Sequence, residues 1–292
     1  MNVQAKTATS NRTMDKIMSV IGDLPSSPGV VSLVMGMTSD LNTDIRALSR
    51  ALSADQSMTV KVLRLSNSPF YGRSRGVTTL EEAIMILGFF TLRSLVVATS
   101  THALFKNEDP TGYEEKLWEH SLSTAMAARI ISSHTHSNVI EKAFICGLMH
   151  DLGKLIFLQK MPDEYQKLVS RVESEGKTFM ELEDEVFGFN HAELGQAILE
   201  NWSFPDEFCV AIRDHHNPEP ISAEKPAAPI SLIVNLANVL AKEIGVGFSE
   251  TKSCDIADLP AAKFLGLDTE TLQKMTKKLK TAFDEEKRRF RE

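Results

Sequence analysis

Five histidines and one aspartate occur in an order that suits a metal site assembled from several helices. His120 lies in LWEHS, the pair His150–Asp151 in LMHDLGK, His191 in FNHAELG, and the pair His215–His216 in IRDHHNP. Neutral imidazole and carboxylate groups together bind divalent iron, manganese, nickel and zinc well, and helical bundles hold such ions between facing helices. These ions lower the pKa of bound water and bind phosphoryl oxygens, which is the chemistry of phosphoester hydrolysis.

The spacing of these residues leaves two questions open. Neighbouring side chains point about 100° apart on a helix, so His150 and Asp151 address either two ions or one ion at a helix end. A single histidine near a helix end is more often a capping or core residue than a ligand, and we assign that role to His102, His134 and His136. Spacing alone does not choose between a metal site and this structural role for the other five.

The elements around these residues are predicted to be helices, because apolar residues recur three and four apart almost throughout the chain. A polar break, KNEDPTG at residues 106–112, separates two predicted helical lobes, 14–105 and 113–245. Residues 1–13 are polar and predict a disordered tail, and residues 246–292 predict a C-terminal helical extension.

Local signals place several helix boundaries in the second lobe and in the extension. Helices are expected to begin near Pro162, at Thr178 with Glu181, and at Asn190 and Pro205. The last predicted helix, residues 269–290, carries an apolar stripe that packs within the chain or pairs two chains. Its members are Leu272, Met275, Leu279 and Phe283.

Composition restricts the function classes. The formal net charge is −7, which disfavours nucleic-acid binding because that requires a dense basic surface. No stretch reaches the roughly 18 apolar residues of a membrane span, and the polar start lacks the apolar core of a secretory signal. Three widely spaced cysteines suit a reducing compartment, so we expect a cytoplasmic protein without a membrane or nucleic-acid partner.

The quoted motifs resemble those of the HD superfamily of metal-dependent phosphohydrolases. Three upstream segments, DLPSSPGVV, SADQSMTVKVLRLSNSPFYG and TTLEEAIMILGFFTLRSLV, extend the resemblance to the HDOD domain of bacterial signalling proteins, from about residue 24 to residue 238. The resemblance implies an all-α, multi-helical HD-like bundle with an N-terminal helical lobe, spanning 14–245. It also implies regulation through protein partners of a bacterial signalling pathway, usually without catalysis.

Similarity to the related HD-GYP phosphodiesterases implies a set of metal ligands, namely His120, His150, Asp151, His191, His215 and His216. It implies that Lys154 contacts phosphate, so Asp151 and Lys154 are the candidate catalytic residues if the protein is active. Three departures from that pattern disfavour activity. Asn238 stands where a ligand aspartate is expected, Lys116 replaces an acidic residue, and NPEP rather than Gly-Tyr-Pro follows His216.

These departures predict that catalysis is lost before metal binding, because an amide oxygen binds transition metals more weakly than a carboxylate. The favoured hypothesis is therefore a non-catalytic regulatory module that holds divalent iron, manganese, nickel or zinc in a degenerate HD site. The alternative is a metal-dependent phosphohydrolase acting on a phosphoester or nucleotide. The sequence does not predict an oligomeric state.

Overall fold

The all-α prediction is confirmed in the described part of the chain. The computed structural model describes residues 29–39, 43–54, 56–67, 76–104, 111–135, 138–202, 204–217, 229–248 and 255–291, and these ranges contain helices and no β-strand. The predicted tail at 1–13 and residues 106–110 of the predicted break lie outside the described residues. Every described helix is too short or too polar to cross a membrane.

The N-terminal lobe is built around one long helix. Its helices are α1 (Gly29–Ser39), α2 (Ile45–Ser53), α3 (Gln56–Ser66) and α4 (Leu80–Leu104). Helix α4 is interrupted at Gly88, whose backbone is not helical (φ 77°, ψ 166°). It packs against α1, α2 and α3 and also against the second lobe, and its residues Leu92 and Val96 are buried.

The second lobe contains the residues singled out from the sequence. Its helices are α5 (Tyr113–His134), α6 (Ile140–Met149), α7 (Leu152–Lys160), α8 (Pro162–Glu175), α9 (Phe179–Phe187), α10 (His191–Asn201), α11 (Asp206–Arg213) and α12 (Pro229–Glu243). The predicted starts at Thr178 and Asn190 are present as capping boxes, in which the cap side chain and a glutamate three residues later satisfy each other's backbone N–H groups.

Helix α5 forms the centre of this lobe. It packs against α6 and α12, and it is buried around most of its circumference because its polar residues there are small, including Ser121, Ser123 and Thr124. His120 projects from this central helix, so a side chain of α5 reaches the middle of the bundle.

The C-terminal segment packs back onto the second lobe. It contains a 3-10 turn (Ile256–Asp258), α13 (Pro260–Phe264) and α14 (Thr269–Arg291). The four stripe residues of α14 are buried, and the helix packs against α5 and α12. The apolar stripe therefore packs within the chain, which decides between the two alternatives that the sequence left open.

Candidate metal centre

The six ligand-type residues predicted from the sequence come together around the carboxylate of Asp151. Its Oδ2 atom lies 3.3 Å from Nε2 of His150 and 3.7 Å from Nε2 of His120. Its Oδ1 atom lies 3.4 Å from Nε2 of His191 and 3.8 Å from Nε2 of His215. The sixth residue, His216, places its Nε2 atom 2.8 Å from Nε2 of His191.

These side chains form two groups that share Asp151. His120, His150 and Asp151 form the first, which we call the amide subsite because Asn238 adjoins it, with Oδ1 3.1 Å from Nε2 of His120. Asp151, His191, His215 and His216 form the second, the imidazole subsite. Within each group the candidate ligand atoms lie within 4.8 Å of one another, so each group has the dimensions of a site for one metal ion.

His150 and Asp151 lie in the junction between α6 and α7 and not within a helix. His150 is the C-terminal cap of α6 and Asp151 is the N-terminal cap of α7. The spread of about 100° expected for neighbours on a helix therefore does not apply, and the two side chains converge. Gly153 permits this arrangement, since a Cβ atom there would lie 2.1 Å from the backbone oxygen of His191.

His191 is held by a buried carboxylate that we did not predict from the sequence. Glu183 accepts hydrogen bonds through Oε2 from the backbone N–H of His191 (2.8 Å) and from its Nδ1 (2.5 Å), and through Oε1 from the hydroxyl of Tyr165 (2.7 Å). A signal for it exists in the sequence. Phe179, Glu183 and Phe187 are spaced four apart, which places a carboxylate on the apolar face of α9.

Two further histidines are oriented by backbone carbonyl groups close to them in the sequence. Nδ1 of His150 donates to the oxygen of Gly147 (2.8 Å), and Nδ1 of His215 donates to that of Ile212 (2.6 Å). Each imidazole therefore carries its hydrogen on Nδ1 and directs the lone pair of Nε2 toward Asp151. Hydrogen bonding of the second ring nitrogen in this way is typical of metal-binding histidines.

His120 is oriented from the segment that follows α12. Its Nδ1 atom lies 3.2 Å from the oxygen of Val246. Gly247, the next residue, has φ 103°, and a Cβ atom there would lie 2.7 Å from Nδ1 of His120, so only glycine fits. Val246 and Gly247 belong to the predicted C-terminal extension, yet they contribute to the candidate site.

Burial keeps three of the imidazoles neutral. It lowers the pKa of His120 to about 3, helped by the neighbouring His150. Burial likewise lowers the pKa of His215 and His216 well below the usual value, and neighbouring imidazoles add to the effect. Neutral imidazole is the form that binds metal, so these side chains are available as ligands at neutral pH.

The two buried carboxylates differ in their surroundings. Burial alone would raise the pKa of Asp151, but the neighbouring His150 and the Lys154 ammonium outweigh it and hold that pKa well below the usual value. At Glu183 burial prevails and raises the pKa to about 8, although Lys154 and the Tyr165 hydroxyl act in the opposite direction. Asp151 is therefore ionised at neutral pH.

Three buried polar atoms of the cluster have no hydrogen-bond partner among the described residues. They are Nε2 of His150, Oδ1 of Asp151 and Nε2 of His215. A buried acceptor without a donor is costly, and a divalent cation satisfies several such lone pairs at once. The chemistry of the donor set and these unsatisfied atoms fit a bound transition metal, so the His/Asp cluster can hold one.

The two lysines named from the HD-GYP pattern have distinct surroundings. Nζ of Lys154 lies 3.0 Å from Oδ2 of Asp151 and 4.6 Å from the centre of the Phe179 ring. Lys116 is exposed, and its ammonium lies over the rings of Tyr113 and Phe248 rather than within the cluster.

Helix α12 contacts both subsites. Asn238 adjoins His120 in the amide subsite. Asn235, one turn earlier, donates from Nδ2 to the backbone oxygens of His215 (2.9 Å) and His216 (3.3 Å). This second contact, which we did not predict from the sequence, holds the turn that carries both histidines.

Comparison with known proteins agrees with this architecture. An HDOD domain protein of unknown function from Geobacter sulfurreducens is 26% identical with a TM-score of 0.80, over 97% of this chain and 99% of that chain. A Shewanella amazonensis SB2B protein described as a phosphohydrolase is 23% identical with a TM-score of 0.70, over 90% of this chain and 93% of that chain. At this identity the similarity shows that the two chains share a fold and nothing about activity.

A sequence relative is longer than this chain. An uncharacterised protein of Treponema pallidum (strain Nichols) is 24% identical over 218 residues, which are 74% of this chain and 42% of that protein. The chain therefore spans about two fifths of that relative.

The HDOD domain itself matches residues 24–218, which is most of the sequence. The chain belongs to the HDOD domain family.

Proposed function

We propose that this protein is a cytoplasmic regulatory module of bacterial signalling that acts through contacts with other proteins. In this proposal the His/Asp cluster holds a divalent transition metal as a structural or sensory element and does not catalyse hydrolysis. The observation that carries the proposal is the burial of the cluster.

Five of the six ligand-type residues are almost inaccessible to solvent. The exposed fraction is 0% for His150, His191 and His215, 1% for Asp151 and 3% for His120, whereas His216 is half-buried. A hydrolytic metal ion needs an open coordination position for water and substrate. A closed set of protein ligands instead suits an ion that stabilises or reports on a conformation.

The charge of the cluster also supports a role other than hydrolysis. Asn238 contributes no negative charge beside His120, and Lys154, only 3% exposed, is bound to Asp151 and so is not presented to a phosphate. Both features lower the affinity for the pair of cations that a two-metal hydrolase uses.

The test begins with protein purified without a metal-binding affinity tag. Iron, manganese, nickel and zinc are quantified, and phosphomonoesters, nucleotides and cyclic dinucleotides are assayed as substrates. We expect bound metal and no turnover. His150→Ala should lose metal, whereas His134→Ala, which changes an exposed histidine of α5, should not. Turnover that disappears in His150→Ala and persists in His134→Ala would overturn the proposal.

One observation favours a metal-dependent phosphohydrolase as the second candidate. The two oxygens of Asp151 face different groups of histidines. A carboxylate that bridges two metal ions has this arrangement. In that case Asp151 would hold both ions and Lys154 would turn toward the phosphate of the substrate. The same assays decide between the two functions.

A further inference from the structure

We propose that the cluster binds one metal ion, in the imidazole subsite, and that Lys154 takes the place of a second ion in the amide subsite. This inference rests on the proposed function only in requiring that the cluster binds metal. It assigns the number of ions and their position, and it follows from a difference between the two halves of the cluster.

The two oxygens of Asp151 have different partners. Oδ2, which faces the amide subsite, accepts a hydrogen bond from the ammonium of Lys154 at 3.0 Å. Oδ1, which faces the imidazole subsite, is buried and has no hydrogen-bond donor among the described residues. The protein itself therefore supplies a cation to one oxygen and leaves the other for a cation from outside.

The imidazole facing the amide subsite from α5 also has a protein partner. With its hydrogen on Nδ1, which lies 3.2 Å from the oxygen of Val246, His120 has an acceptor at Nε2. The amide group of Asn238 adjoins this atom at 3.1 Å. Rotation of that amide by half a turn places its NH2 group on the lone pair, so the protein can satisfy this nitrogen without a metal ion.

An ion in the amide subsite would also be repelled. It would bind Oδ2 of Asp151, the same atom that Lys154 contacts, so a dication and an ammonium would be neighbours in a buried site. Like charges at such separations disfavour each other strongly where water is excluded. Nε2 of His150 has no donor from the described part of the chain, but a single imidazole does not offset that repulsion.

The imidazole subsite contains more buried acceptor atoms without a hydrogen-bond donor among the described residues than the amide subsite does. Oδ1 of Asp151 and Nε2 of His215 accept no hydrogen bond from any described residue, and His191 directs Nε2 to the same place because its Nδ1 is bound to Glu183. With His216, these atoms provide three imidazoles and one carboxylate oxygen. Four ligands of these types are the usual complement of a closed tetrahedral zinc site.

The first experiment locates the ion. Metal-free protein is titrated with Zn²⁺ by calorimetry, and with Co²⁺ while the visible spectrum is recorded. We expect one ion per chain. Two matched variants identify the subsite: His216→Ala should abolish binding and the Co²⁺ spectrum, whereas His120→Ala should retain one ion. The opposite pattern, or two ions in the wild-type protein, overturns the inference.

The second experiment tests the role of Lys154. Lys154→Met removes the ammonium while keeping a long apolar side chain, and we expect the stoichiometry to rise from one ion to two. Lys142→Met is the control, because Lys142 forms an ion pair with Glu207 away from the cluster, and it should still bind one ion. A stoichiometry of one in Lys154→Met contradicts the role assigned to Lys154.

These outcomes separate this inference from the proposed function. Two ions without turnover leave the proposed function intact and overturn only the single-ion assignment. One bound ion together with hydrolytic turnover would overturn the proposed function and leave the single-ion assignment intact. Absence of Zn²⁺ and Co²⁺ binding overturns the metal-binding part of both. If Lys154→Met fails to fold, the comparison of His216→Ala with His120→Ala still decides where the ion lies.

Discussion

Replacing Gly153 by alanine tests whether the cluster depends on the close approach of α7 to α10. Gly153 lies in the first turn of α7, two residues after Asp151, and faces the first residue of α10, His191. A Cβ atom there would lie 2.1 Å from the oxygen of His191 and 2.8 Å from both its carbonyl carbon and its Cα. All three neighbours are backbone atoms, so the clash cannot be relieved by rotating a side chain.

The expected size of the effect follows from these distances. Real Cβ contacts are essentially never shorter than 3.0 Å, so the two helix starts must separate by about 0.9 Å. Overpacking of this kind lowers the free energy of unfolding by about 1–3 kcal/mol. Each kcal/mol lowers the melting temperature by about 2–4 °C in chains of 150–250 residues, and by somewhat less in this longer chain. Metal–ligand distances tolerate only about 0.2 Å, so metal binding should fall further than stability.

The assay compares thermal unfolding and Zn²⁺ affinity of Gly153→Ala with those of Gly36→Ala. Gly36 lies on the exposed face of α1, and a Cβ atom added there would meet no heavy atom within 4 Å, so alanine should stabilise the helix by about 0.5–1 kcal/mol. If Gly153→Ala melts at the wild-type temperature and binds Zn²⁺ with wild-type affinity, this glycine does not hold the cluster together.

Two further predictions concern groups that surround the ligands. Glu183→Gln should weaken Zn²⁺ binding by about 10–100-fold because the carboxylate orients His191, whereas Glu185→Gln, on the exposed side of α9, should not; equal affinities for these two variants would refute the role of Glu183. In the metal-free protein, the free energy of unfolding should decrease as the pH falls from about 6.5 toward about 3, because the unfolded chain takes up a proton that buried His120 does not. Urea titrations across this range should show a smaller pH dependence for His120→Gln than for the wild-type protein, and an equal dependence in the two proteins would contradict this prediction.

Helix boundaries were predictable because their signals are local. Thr178 and Asn190 cap helices through hydrogen bonds to backbone groups two or three residues away, so the sequence contains the whole interaction. The stripe on α14 was visible for the same reason, since its spacing of three and four residues is a property of one helix. The residue types and order of the six candidate ligands were also readable directly.

The long-range contacts that organise those ligands were not predictable, because they join distant parts of the chain. His120 meets the oxygen of Val246 across 126 positions, and Asn238 across 118 positions. The spacing of Glu183 between Phe179 and Phe187 places it on the apolar face of α9, but nothing local to α9 pairs it with His191. No local pattern specifies that the carbonyl group of Val246 will face the imidazole of His120.

The sequence by itself determined that the protein is all-helical, that it resembles the HDOD family, and which six residues are its candidate metal ligands. Only the tertiary structure decided how the five histidines are divided into two groups that share Asp151, and that Lys154 contacts one oxygen of that carboxylate. The physical reason is that residue type states what a side chain can bind, whereas its actual partner depends on which helix starts the packing brings together.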